Sequence, residues 1–302
     1  MNATGSVIKH VRGSLFRTRC FLLLALVALP LLLAAAPPSI QDAEPPSALE
    51  IQVRAWTDAL AAQKPFAAWK RAQADIQALG PGTHGWLAVL KSDGKVVGYL
   101  VVYAAQDGTF QLGEYGTGPG ALFSPSVLRK TLLENGLIAS EEERYEAVRR
   151  YDHPFAAVWE VTVHEQSYWI DAKLGEILPF TQESWNKLPP SRTAPLVVKS
   201  ASPDTIPEAS LVRETFDPYE RLPWLTDEQP LSVHNAKKVQ NRIRSGLHLR
   251  YVTEPYGDAV LFALPVIGFV QWTDGRLDLA LDMDGCRFIP LQTLEQYGRF
   301  FR

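Results

Sequence analysis

Apolar residues recur along this chain with two different periods, and the changes of period divide it. Leu49, Val53, Trp56 and Leu60 fall at helical spacing and predict a first amphipathic helix. Lys64-Pro65 interrupts it, and Pro65 suits the first turn of a second helix. In that second helix Phe66, Trp69, Ile76 and Leu79 share a face, and Gly80-Pro81 ends it. Strand-like runs follow at 86–90, 96–104 and 109–115, joined by Asp93-Gly94 and Asp107-Gly108. Asp-Gly between apolar runs predicts hairpins, because a type I′ turn needs positive φ at both central residues. Ser124-Pro125 opens a helix through about Asn135, with Gly136 as its stop. Strands then follow at 145–151, 157–164 and 167–172.

From 188 to 230 the periodicity fails and eight prolines crowd the stretch, which predicts a linker or an extended strap over the surface. Beyond it, 231–245 reads as a polar helix stopped by Gly246. Strands follow at 247–253, 259–265, 268–272, 277–282 and 287–290, with hairpin turns at Asp274-Gly275 and Asp284-Gly285, and a short helix at 291–298. Helix followed by antiparallel meander thus occurs three times by element order. The fold class is α+β, with one helix covering the apolar face of each sheet. The units are 47–120, 121–187 and 231–302, with 188–230 as a Pro-rich linker or strap between the second and third.

The first 46 residues follow different rules. Residues 21–36 (FLLLALVALPLLLAAA) are uncharged and almost wholly apolar, behind Lys9, Arg12, Arg17 and Arg19 with no acid. Removing those four from the 30 basic residues leaves 26 against 33 acids, a net charge of −7 for the rest. A basic N-terminus before an acidic body predicts a single pass with the N-terminus inside and the body outside. Residues 1–36 are then a signal peptide or signal anchor, and 37–46 an acidic, proline-bearing spacer. Ala34 and Ala36 form a cleavage pattern, but Pro37 directly after it weighs toward an uncleaved anchor over secretion after cleavage. Cys20 precedes the apolar run, where a lipidated cysteine would follow it.

Composition and motifs exclude more than they assign. Overall net charge is only −3, and no basic surface indicates nucleic acid. Cys286 is the one cysteine beyond the targeting segment, so the body has no internal disulfide; the thiol reads as a small buried hydrophobe. Its pairing with His84, His164, His234 or His248 cannot be read from spacing. The six histidines contain no metal-ligand spacing, and His153, before Pro154, reads as a loop residue. Asp282-Met283-Asp284-Gly285 resembles the start of a calcium loop, but Arg287 and Phe288 stand where oxygen donors belong, so a hairpin turn is the better reading. Asp278 and Asp282 are expected on the solvated face of a strand whose other face carries Leu277, Leu279 and Leu281. Gly116-Thr117-Gly118-Pro119-Gly120 lacks the following Gly-Lys-Ser/Thr of a phosphate loop and reads as a flexible connector. Glu141-Glu142-Glu143 reads as a solvated loop. Trp159 and Trp169 are expected to pair across neighbouring strands. No catalytic, metal or cofactor-binding residue is assigned.

Residues 145–179 resemble the PepSY domain. The resemblance is carried by Val158-Trp159-Glu160-Val161-Thr162-Val163 and, after a short gap, by Tyr168-Trp169-Ile170-Asp171-Ala172-Lys173-Leu174-Gly175-Glu176-Ile177-Leu178. It covers a strand, a turn and a second strand running into a D-A-K-T-G-E-like ending, with Leu174 in place of the usual small polar residue. The resemblance implies PepSY/cystatin-like α+β modules in an exported or membrane-attached bacterial protein. It also implies binding, including restraint of a peptidase, and supplies no catalytic residue. The expectation is a non-catalytic extracytoplasmic protein that binds a protein partner of the envelope, a peptidase among the candidates, through an exposed sheet edge or face. It would meet the membrane through its N-terminal segment. The alternatives are an exported hydrolase with an unrecognised site and a purely structural envelope component.

Overall fold

The computed structural model describes residues 47–179, 181–188, 205–226 and 228–302, all within one compact unit, Pro45–Arg302. The apolar segment 21–36 and the spacer 37–46 lie outside the described residues. Helix α1 (Ala48–Ala61) starts where its sequence provides a cap: the Glu50 amide donates to Ser47 Oγ and the Ser47 amide to Glu50 Oε2. Its Val53, Trp56 and Leu60 are buried, as their spacing predicts.

The second expected helix does not form. Lys64–Arg71 is a 3-10 turn, and Gln73–Ala78 is strand β1, paired along its whole length with β2 (Gly85–Ser92). Helical spacing at Phe66 and Trp69 is met within the short turn, where both rings are buried and the Trp69 indole donates to Val97 O at 2.9 Å. The residues after it gain a ladder partner that a helix would forgo, and Lys91 Nζ meets Asp75 Oδ2 across that ladder at 2.9 Å.

Strands β3 (Lys95–Ala104) and β4 (Phe110–Thr117) complete a meander, and Asp93 and Gly94 sit at φ 50° and 75° in the β2–β3 turn. Helix α2 (Pro125–Glu134) precedes β5 (Glu146–Tyr151), β6 (Ala157–Val163), β7 (Gln166–Asp171) and the two-residue β8 (Ile177–Leu178). These four strands form a separate antiparallel sheet. After the short helix α3 (Gln182–Asn186) comes β9 (Pro207–Val212), a strand inside the proline-rich stretch. Helix α4 (Ala236–Arg244) leads to β10 (Arg250–Thr253), β11 (Pro255–Asp258) and β12 (Phe262–Trp272). The chain closes with β13 (Leu277–Asp282), β14 (Cys286–Pro290), α5 (Leu291–Tyr297) and β15 (Arg299–Phe301).

The sheets cut across the segments. A ten-stranded sheet runs β1-β2-β3-β4-β14-β13-β12-β10-β15, with β9 also on β12. Its two halves meet where Arg287 and Phe288 of β14 pair with Gly116 and Tyr115 of β4. One face is covered by α1 and the 3-10 turn, around Trp56, Phe66, Trp69 and Trp272. On the other face α2 and the small sheet cover one half, while α4 and α5 cover the other. Strands 259–265 and 268–272 of the sequence reading are one strand, β12, bent by an irregularity between Val266 and Gly268. Beyond that bend its outer edge passes from β10 to β9.

Two side-chain expectations fail for reasons of register and topology. Trp159 faces Ile170, and Trp169 faces Glu160, so the two tryptophans point to opposite faces of the small sheet. Trp159 lies over Phe123, and Trp169 stacks on Trp185 at 5.3 Å. Asp278 is not on a solvated face. It is fully buried, because α1 covers that side of the sheet, and it receives Arg276 Nε at 2.7 Å, Tyr115 Oη at 2.9 Å and Trp272 Nε1 at 2.8 Å. Gly116 and Thr117 belong to β4 and are not a flexible connector.

The close approach of β9 depends on Gly268, where an added Cβ would lie 2.1 Å from Leu211 O. Gly268→Ala is expected to cost about 1–3 kcal/mol by forcing β9 off β12. Urea unfolding of the two proteins checks it, and an unchanged midpoint contradicts it.

Candidate functional site

The interior holds more charge than an alternating strand pattern suggests. Glu114 on β4 and Arg287 on β14 project from the same face of adjacent strands, and both are buried. Arg287 Nε and Nη2 reach the two Glu114 oxygens at 2.8 and 2.9 Å, a two-pronged pair. The same guanidinium donates to Pro154 O and to Met283 Sδ, and lies 5.6 Å over the Phe155 ring. It therefore clamps the loop between β5 and β6 onto the large sheet. Burial pushes the Glu114 carboxyl up, and the Arg287 charge pulls against it. Tyr99, Tyr103 and Tyr151 interact with this pair, and burial raises all three phenols.

A second clamp comes from the turn after β7. Asp171 Oδ1 accepts the amides of Lys173 at 2.8 Å and Leu174 at 2.6 Å, which folds the turn back on itself. Lys173 Nζ is thereby aimed across to the large sheet, donating to Gly120 O at 2.6 Å and Asp284 O at 2.8 Å. Burial lowers the Lys173 amine to about 8. Gly120 thus has a structural use that the sequence reading did not assign.

The nucleophile and imidazoles go to different places. Cys286 is half-buried beside the α1-side core, and burial followed by the Asp282 charge pushes its thiol up, away from reactivity. His164, in an exposed turn, meets Glu143 at 2.9 Å; His234 meets Glu295 at 2.7 Å; His248 stacks on Phe216 at 3.9 Å. His84 occupies the loop before β2, where its carbonyl accepts the Ala104 amide. His153 is no ordinary loop residue. It is buried, stacks on Tyr297 at 3.8 Å and accepts the Phe155 amide at Nδ1. Burial lowers it to about 3, with the Arg287 charge adding to the shift. Among the described residues no cluster of three or more His, Cys, Asp or Glu is placed to hold a metal ion.

The surface feature that stands out is on the strap. Its segment Phe216-Asp217-Pro218-Tyr219-Glu220-Arg221-Leu222-Pro223-Trp224-Leu225 forms two 3-10 turns, Pro218–Glu220 and Pro223–Leu225, each opened by a proline. Asp217 Oδ1 caps the first at the Tyr219 amide, 2.8 Å away. From β10, Arg250 fastens the strap from below. It is 1% exposed, donates Nε to Pro218 O at 2.9 Å and lies 5.2 Å over Phe216. Trp224 packs edge-on against Tyr219 and Phe301. What this rigid base holds outward is apolar: Tyr219 is 52% exposed, Leu222 40% and Leu225 69%. Single exposed leucines are ordinary, but here three large exposed apolar side chains fall within seven residues of one braced segment.

The chain matches no known family model, no curated protein and no solved structure. Sequence reading set 188–230 apart as a linker or strap but missed these exposed side chains and both clamps. Tyr219, Leu222 and Leu225 lie in a region without periodicity, and Glu114, Arg287 and Arg250 look like solvated positions of alternating strands.

Two measurements probe the interior. Glu114→Gln leaves Arg287 charged and underpaired, with an expected loss of about 3–5 kcal/mol, while Glu114→Leu with Arg287→Met recovers much of it. Chemical denaturation reads both, and a double variant no better than the single one contradicts the assignment. His153 is held neutral when folded but takes a proton when unfolded. Its contribution is therefore intact above its ordinary value of 6.5 and lost as pH falls toward about 3. On the order of 3 kcal/mol is expected to be lost by pH 4. His153→Gln should flatten that limb of the pH–stability curve, and an identical slope in the variant contradicts the prediction.

Proposed function

We propose that this chain is an extracytoplasmic protein of the bacterial envelope, membrane-tethered or secreted, that binds a protein partner through the strap. The observation that carries the reading is the exposed set Tyr219, Leu222 and Leu225 on a base immobilised by Arg250, Pro218 and Pro223. Apolar and aromatic anchors flanked by charge, here Glu220 and Arg221, are the composition of a recognition surface. Because residues 216–225 are braced by Arg250 and by two 3-10 turns, binding there forfeits little conformational entropy.

The tandem-module reading belongs to the same proposal. The order helix-then-strands in α1 with β1–β4, in α2 with β5–β8 and in α4 with β10–β14 is what supports PepSY/cystatin-like units, with the first and third sharing one sheet. The Asp171–Gly175 turn supports the resemblance at residues 145–179, because its aspartate and lysine each have a structural task. A peptidase is the partner that this resemblance favours. The basic, acid-free N-terminus before the apolar run supports export.

The test is recovery of envelope proteins on the full chain in parallel with Tyr219→Ala, Leu225→Asp. A genuine partner is expected to bind the double variant at least 30-fold more weakly. If it is a peptidase, wild type should slow its turnover and the variant should not. A partner held equally by both proteins, or none retained at micromolar concentration, defeats the proposal.

A further inference from the structure

Charge on the body is segregated. Residues 236–250 contain Lys237, Lys238, Arg242, Arg244 and Arg250 and no acid, in a chain whose residues beyond 36 carry 26 bases against 33 acids. Helix α4 turns Val239, Gln240 and Ile243 inward and leaves Lys237, Lys238 and Arg244 exposed. Two further cations come from elsewhere in the chain. Arg213 donates Nη1 to Arg244 O at 3.1 Å, and Arg302 acts electrostatically on Arg242. Arg250 is buried under the strap and is not part of this surface.

Among the described residues, none of these six (Arg213, Lys237, Lys238, Arg242, Arg244, Arg302) is in an ion pair. Acids nearby include Glu214, next to Arg213 in sequence, Glu295, which pairs with His234, and Asp217, Glu220 and Glu228, which act electrostatically on Arg250 beside Arg242. Just beyond the helix, Leu247 is 56% exposed amid these cations.

We propose that the outer face of α4, with Arg213, Arg302 and Leu247, docks on an anionic phospholipid surface. The cations meet headgroup phosphates and Leu247 enters the apolar boundary beneath them. The residues beyond 36 carry a net charge of −7, so an acid-free cationic face among them orients the molecule on such a surface. The inference rests on reading residues 21–36 as a membrane segment. Ten residues, 37–46, then link that segment to the body. Such a tether raises the effective lipid concentration enough for a weak surface to act.

The experiment uses the full chain with vesicles of phosphatidylcholine alone and mixed with phosphatidylglycerol. Flotation with the neutral vesicles reads the N-terminal segment. Backbone hydrogen exchange over 236–250 reads the α4 surface. The expected result is protection that appears with phosphatidylglycerol and is lost at high salt. Lys237→Gln with Lys238→Gln, altered only at exposed side chains, should weaken that protection about 25-fold, roughly fivefold for each charge removed. Leu247→Ser should weaken it without changing its salt dependence. Equal protection on both vesicle types, or protection that requires an added acidic protein instead of the lipid, overturns the proposal. A chain that fails to float with neutral vesicles refutes the membrane segment, and flotation of that chain with anionic vesicles then tests the α4 face alone.

Discussion

The pairing of Arg287 with Glu114 is the constraint on which the arrangement of this body rests. It lies where β4 meets β14, the junction at which the two halves of the ten-stranded sheet become continuous. Its remaining donors and its face are spent on Pro154, Met283 and Phe155, so the pair also seats the small sheet. Two buried charges are costly to remove from water, and only near-complete hydrogen bonding makes them tolerable. That condition is met in one relative placement of β4, β14 and the β5–β6 loop. Lys173 adds a second requirement of the same kind, because its amine needs Gly120 and Asp284 at once.

The strap is fastened at the other end of the sheet by a sparser contact, in which Arg250 makes one hydrogen bond, to Pro218 O. Arg250 is buried on the face that Phe216 and Pro218 cover, and it needs their ring and carbonyl in place of water. Residues 216–225, which have no helical or alternating period of their own, are thereby braced against β10. Its inward side satisfies the arginine and Trp224, and its outward side is left to Tyr219, Leu222 and Leu225. The proposed binding surface is thus a consequence of how the strap is fastened. The α4 face differs: Arg242 bonds His248 O, Arg244 lies over Phe269 and Arg213 bonds Arg244 O, but among the described residues none of its cations is paired with a carboxylate, and the lipid proposal rests on that.

Much of the body was legible as local structure. The Ser47 cap, the Asp93-Gly94 turn, helix α2 with its stop at Gly136, and helix α4 ending before Gly246 each follow from one short run of residues. The failures share a cause. Gln73–Ala78 is composed like a helix, yet a strand edge was available to it at β2. Trp159 and Trp169 lie on neighbouring strands as expected, but a one-residue offset in register sends side chains to opposite faces. Asp278 alternates with leucines as a solvated residue would, and only the helix above it makes that face interior.

By itself, then, the amino-acid sequence determined the α+β class, most element positions, the tight turns and the uneven distribution of charge, because these depend on neighbours a few residues apart. Tertiary structure alone decided which charges are buried, which strands from distant segments share a sheet, and which side of the strap faces out. Those outcomes bring together residues up to 173 positions apart, as in Glu114 and Arg287. Their free energy comes from desolvation and hydrogen-bond geometry that exist only once the chain has closed around them.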